Sequence, residues 1–233
     1  MVNSVTQLSD PAPPQESSQV PLVMSYLAQR LLIGVLAVLL PVVVVIVNWL
    51  IGYGFQESVS GYYYTPMRNV FVGTLCAIGV FLVSYDGYDL TDRLITDAAG
   101  VCAICVSFFP TTPSPATAHQ VVIGDIHLGF AVTAFVALAV MSLRFAKREP
   151  TPAGLDLWRR VKFAFGFTGP GLSSTPRWEL LVYRLSGLVI VVCVVLAYVL
   201  SSIHYSLLVL EWLLLWSFGV SWFVKGKKLL SGG

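Results

Sequence analysis

His204 and Glu211 stand seven residues apart in the last apolar stretch of this chain. On a helix of 3.6 residues per turn that spacing is almost two turns, so both side chains leave one face, with Glu211 about 10 Å further along. A carboxyl group inside a spanning helix is costly unless protonated, paired or hydrated, which marks Glu211 as a candidate acid or base. A second group, PTTPSPATAHQVVIGDIH, carries His119, Asp125 and His127. Asp125 and His127 flank the expected start of a helix near Ile126, where the positive end of the dipole favours a capping carboxylate. The third group, QESVSGYYYTPMRNVFVG, collects Glu57, Ser58, Ser60, Tyr62, Tyr63, Tyr64, Thr65 and Arg68. Connections held by a rigid scaffold often carry function. The same tyrosines also suit an interfacial aromatic belt, and Arg68 suits a side chain reaching for headgroups.

Several chemistries use these residues. In the leading reading, Glu57, Tyr62, Arg68, His204 and Glu211 line a polar pocket for a lipid or small amphipathic ligand. A second reading is a zinc-dependent hydrolase acting on a lipid, with His127 and His204 as ligands, Glu211 or Asp125 as third ligand or base, and Ser60 as a candidate nucleophile. A third is electron transfer through a b-type haem with His127 and His204 as axial ligands. Neither H-E-x-x-H nor H-x-x-x-H occurs, and SVSGY is not a G-x-S-x-G elbow. Asp86, Asp89, Asp92 and Asp97 in SYDGYDLTDRLITDAAG lack the ligand pattern of a calcium loop. Asp97 is expected to pair with Arg93 and the other three to be solvated or to cap. Cys76, Cys102, Cys105 and Cys193 lie in apolar stretches and are expected to act as small packing groups.

The elements that must position these groups are helices in lipid. The chain is 56% hydrophobic and 11% charged, with a mean hydropathy of +0.79, too apolar for a soluble globule of its size. Nucleic acid is not an expected partner, since no binding motif accompanies a net charge of +2. Membrane lipids are expected partners, and protein partners are not readable. Six stretches, 30–52, 70–85, 95–109, 126–143, 180–200 and 205–224, read as transmembrane helices, with Pro41 kinking the first. The fold expected is an all-α polytopic bundle over 26–228, between a disordered tail over 1–25 and a short tail over 229–233. The connection over 144–179, with Arg184 just beyond it, supplies eight bases: Arg144, Lys147, Arg148, Arg159, Arg160, Lys162, Arg177 and Arg184. It either sets topology alone or lies as an interfacial helix on anionic headgroups. Both termini cytoplasmic in the plasma (inner) membrane puts Arg30, Arg93, those eight and Lys225, Lys227 and Lys228 inside, leaving Arg68 as the sole outer base.

The runs SVSGYYYTPMRNVFVGTLCAIGVFLVSYDGYD, AGVCAICVSFFPT, DIHLGFAVTAFVALAVMSL and LEWLLLWSFGVSWFVKG, within about residues 55 to 226, resemble bacterial multipass membrane proteins grouped as a domain of unknown function. That resemblance implies a helical membrane fold and brings no activity. A more distant similarity is to the alkaline ceramidase and adiponectin-receptor superfamily of membrane hydrolases, which hold zinc with three histidines beside an Asp and a Ser. It implies His127 and His204 as ligands with Ser60 nearby. This chain has six apolar stretches where those proteins have seven helices, and it offers His204 and Glu211 where they carry a close histidine pair.

Overall fold

The computed structural model describes residues 19–148, 178–201 and 203–230. Among them are six α-helices, one short 3₁₀ helix and no strand. The helices are α1 (Gln19–Leu50), α2 (Arg68–Val83), α3 (Leu90–Phe108), α4 (Ala118–Lys147), α5 (Trp178–Val199) and α6 (Ser206–Leu230). The 3₁₀ helix, Ser60–Tyr64, lies between α1 and α2. Most of the basic connection, residues 149–177, and with it the interfacial-helix reading, lies outside the described residues.

Local sequence explains the boundaries. The run VVVVIV in α1 is β-branched and weak in intrinsic helix propensity. It is helical because an apolar environment leaves the backbone no partner outside the segment. Asp89 caps α3 by accepting from the Asp92 amide at 2.8 Å, and the helix stops at Phe108, ahead of Pro110. α4 starts eight residues earlier than expected. Thr117 and Gln120 form a capping box, with the Thr117 amide donating to Gln120 Oε1 at 2.8 Å. The cap of α4 is therefore Thr117, and Asp125 stands two turns inside the helix. α6 starts at Ser206, so His204 belongs to the connection before it and does not share a helix face with Glu211.

Each helix packs against its successor, and α6 returns against α1 to close the ring. The core has two parts. One joins Ile33 of α1, Leu82 of α2, Ala99 of α3, Phe145 of α4, Tyr183 of α5 and Trp222 of α6. The other joins Val44 of α1, Val59, Tyr62, Phe71 of α2, Val106 of α3 and Leu208 of α6. Consecutive helices therefore run in opposite directions, and the start of α1 and the finish of α6 share an end with Asp92. This will be called the Asp92 end, and the opposite one the Glu211 end.

Among the described residues four segments are long and apolar enough to cross a membrane: Leu27–Leu50, Ala118–Lys147, Trp178–Val199 and Ser206–Lys227. α2 is apolar but only 16 residues long, and α3 carries Asp92, Arg93 and Asp97 in its first half. Small residues let the helices approach closely, since apolar side chains gain little from each other in lipid and contact area must come from fit. At the crossing of α1 and α6, a Cβ on Gly219 would lie 2.8 Å from the Gly34 carbonyl oxygen. At that of α2 and α3, a Cβ on Gly79 would lie 2.7 Å from the Gly100 carbonyl oxygen.

Because the obstacle at Gly219 is backbone, Gly219→Val should lower stability by roughly 1–3 kcal/mol. Gly129→Ala, where a Cβ meets nothing within 4 Å, should be neutral or raise stability by up to about 1 kcal/mol through helix propensity. Thermal unfolding of the two variants in one detergent checks the contrast, and equal losses would show that the crossing is not limited by backbone approach.

Candidate functional site

At the Glu211 end, the carboxyl group of α6 reaches across the bundle into the connection between α1 and α2. Glu211 Oε2 accepts from the Ser60 amide at 2.9 Å, and Oε1 accepts from Ser60 Oγ at 3.3 Å. Ser58 Oγ lies 3.2 Å from Ser60 Oγ and accepts from the Gly61 amide at 2.9 Å. A single carboxyl thus anchors a 3₁₀ turn that has few internal hydrogen bonds of its own. Next to it, Tyr62 is fully buried, and burial pushes its phenol above the ordinary tyrosine range.

The anchored turn aims the remaining tyrosines. Tyr64 donates to the Thr111 carbonyl at 2.7 Å, fastening the turn to the connection between α3 and α4. Arg68 donates to the Tyr63 hydroxyl, with its Cζ 4.3 Å from that ring's centroid. Tyr63 and Arg68 then form one wall of a cleft of ≈ 420 Å³ completed by Asn69, Val72 and Gly73 of α2 and by Ser107 and Phe108 of α3. Its position follows from the packing: α2 and α3 touch most closely at Gly79 and Gly100, and the cleft opens between their ends beyond that crossing.

His127 and His204 have separate partners. His204 is exposed, and its Nδ1 lies 3.0 Å from Glu57 Oε1. His127 is buried, and its Nδ1–H donates to the Phe109 carbonyl at 2.6 Å, tying α4 to the finish of α3. His119 and Asp125 are exposed. Ser60 therefore meets Glu211 and Ser58, and neither histidine. Among the described residues no three His, Cys, Asp or Glu side chains gather where they could hold a metal ion. The described donors do not fit a zinc centre, and no step is derived through one.

The residues singled out at this end fall into separate contacts, Glu211 with Ser60 and Glu57 with His204, and of the five read as lining one pocket only Arg68 lines the cleft, while Tyr62 is buried beside the turn. Asn69, Ser107 and Phe108 were missed, and only the tertiary pairing of α2 with α3 makes them neighbours. The cysteines are free thiols, and Cys76 lies 3.1 Å from Ser107 Oγ behind the cleft wall.

The Asp92 end holds a second cluster. Asp92 is completely buried and is bound by Arg144 and Arg148 of α4, which also hold Asp89. Expected to be solvated or capping, Asp92 instead joins α3 to α4, and Asp89 both caps and pairs. Asp97 lies 3.9 Å from Arg93, as the four-residue spacing predicts. Arg30 of α1 donates to the hydroxyl of Tyr85, whose phenol burial pushes up to about 12. Comparisons with family models, curated proteins and solved structures return no match.

Two outcomes follow. Glu211→Leu removes both acceptors from Ser60, so amide exchange at Ser60 should accelerate about tenfold, the equivalent of ~1.4 kcal/mol. Hydrogen exchange of the peptide covering 56–67 checks it, and unchanged protection would show that the turn is held by other contacts. At the opposite end, the Asp92 amide first, then Arg148 and Arg144, hold the Asp89 carboxyl below its ordinary value of 3.8. A lowered folded value means that its contribution is present above pH 3.8 and is lost as pH falls through the folded value. Thermal midpoints of wild type should thus fall more steeply than those of Asp89→Asn below about pH 4. Parallel acid limbs would count against the ion cluster as a stabilising contact.

Proposed function

We propose that the chain is a six-span protein of the plasma (inner) membrane, with both ends cytoplasmic, that binds an anionic amphiphile in the cleft at its outer end. The sidedness rests on the Lys and Arg partition along the sequence, in which this topology assigns every base except Arg68 to the cytoplasmic side. α3 enters as a span because its charged residues cluster in the first half, at the Asp92 end, where Asp92 is neutralised. α2 reaches the interfaces with the help of the flanking Tyr and Ser residues.

One observation carries the binding reading. Arg68 stands at a cleft that combines polar groups, at Tyr63, Asn69 and Ser107, with apolar ones, at Val72, Gly73 and Phe108. Its partner is a neutral phenol, so the guanidinium keeps donors for an anionic headgroup. The volume, ≈ 420 Å³, lies within the range of small-molecule sites. An acyl chain would continue along the α2 and α3 surface into surrounding lipid.

The test compares binding of a fluorescent long-chain fatty acid with that of the matching fatty alcohol to the purified full chain in zwitterionic nanodiscs. Wild type should prefer the acid by roughly tenfold, the size of a charge-assisted hydrogen bond. Arg68→Gln should abolish the preference while leaving alcohol binding unchanged. Equal preference in both proteins would remove the headgroup role of Arg68.

A further inference from the structure

The structure also points to a second site, at the opposite end of the bundle: we propose that Arg30, Arg148 and Lys225 form a cage around Tyr88 that takes a phosphate group. Arg30 is only 6% exposed, yet no carboxylate among the described residues pairs with it. One terminal nitrogen donates to the Tyr85 hydroxyl, and Nε has no partner. Its charge is met by the rings of Tyr85 and Tyr88, whose centroids lie 4.9 and 5.3 Å from Cζ. Cation–π contacts offset part of the desolvation of a guanidinium and do not replace a counter-ion.

Arg148 differs from Arg30 in being held by Asp89 and Asp92. The aspartates fix α4 and the α2–α3 connection in place and leave Arg30 without an acidic partner. Around the same Tyr88 ring stand Arg30 Cζ at 5.3 Å, Arg148 Cζ at 5.3 Å and Lys225 Nζ at 5.4 Å. These cations come from α1, α4 and α6, so they meet only when the helix ring is closed. Tyr88 itself is 45% exposed, which opens the cage to water from this end.

The arrangement selects the chemistry of the ligand. Cations carried by different helices around one ring suit a tetrahedral anion beside it, whose oxygens accept from several directions, better than a planar carboxylate. Guanidinium forks match phosphate bidentately, and a lysine adds a point charge. The phosphate can belong to a free ion or to a phosphomonoester lipid headgroup, since the cage lies at the end of the spans.

Thermal midpoints of the full chain separate these sources. Purified protein in detergent is melted with low-millimolar inorganic phosphate against chloride of equal ionic strength. In parallel, it is melted in phosphatidylcholine nanodiscs with and without phosphatidic acid. Wild type should gain roughly 2–4 °C in at least one arm. A gain with inorganic phosphate assigns the site to the free ion, and a gain with phosphatidic acid alone assigns it to the headgroup. Arg30→Met, which removes the buried charge, should melt higher than wild type without phosphate and lose the gain. Arg30→Lys keeps the charge without the fork and should lose most of it, which covers the case in which Arg30→Met does not fold. Because any general effect of phosphate or of anionic lipid would persist in both variants, a full gain in either overturns the site. No gain for wild type in either arm does the same.

Discussion

The hydrogen bonds from Ser60 to Glu211 join groups 151 positions apart in the chain, and the Glu211 end depends on them. A carboxyl group among apolar helices must find donors. Here the donors come from a turn too short to hold its own shape. The requirement of the carboxyl therefore also fixes the turn, and with it the positions of Tyr62, Tyr63, Tyr64 and, one turn on, Arg68. The cleft follows as a consequence. Its walls are the first turns of α2, from Arg68 to Gly73, and the last residues of α3, Ser107 and Phe108, with Tyr63 of the anchored turn beside them.

The Asp92 end solves the same problem with ions. Asp92 is buried between two guanidinium groups of α4, so α3 and α4 are joined by charge at this end and by the His127 contact to Phe109 at the other. Trp222 packs edge-on against Tyr85 and Phe145, placing an aromatic layer beneath the cations. Breaking one partner of such a buried pair leaves an uncompensated charge, which costs more than the pair contributes. Each end of the ring is thus held by a polar contact that a purely apolar bundle would lack, while the middle depends on fit between small residues.

The helices were legible in the sequence because continuous apolar runs need no knowledge of neighbours. Their boundaries were less so. α4 begins at Thr117 because a capping box outside the apolar run extends the helix, and α6 begins after His204, which breaks the shared face expected for His204 and Glu211. Glu211 was recognisable from the cost of a carboxyl group in lipid, a property of one residue. Its partner was not, since Ser60 lies in a different connection and nothing in SVSGY encodes the pairing. The same reason hid Asp92. Its spacing within SYDGYDLTDRLITDAAG describes a solvated loop, and only the approach of Arg144 and Arg148 from another helix makes it a buried ion. The histidine pair read as a ligand set from residue type meets different neighbours, His127 the Phe109 carbonyl and His204 the Glu57 carboxylate.

In the proposed site Glu211 is a positioning residue: it acts on the cleft only through the turn that it holds. The most direct measurement is the affinity of Glu211→Leu, which removes both acceptors from Ser60, for a fluorescent long-chain fatty acid in zwitterionic nanodiscs, with Arg68 left intact. A several-fold loss of affinity is expected, together with a diminished preference for the acid over the alcohol, because Tyr63 no longer presents Arg68 at the cleft. Unchanged affinity and preference would contradict the claim that this contact organises the site.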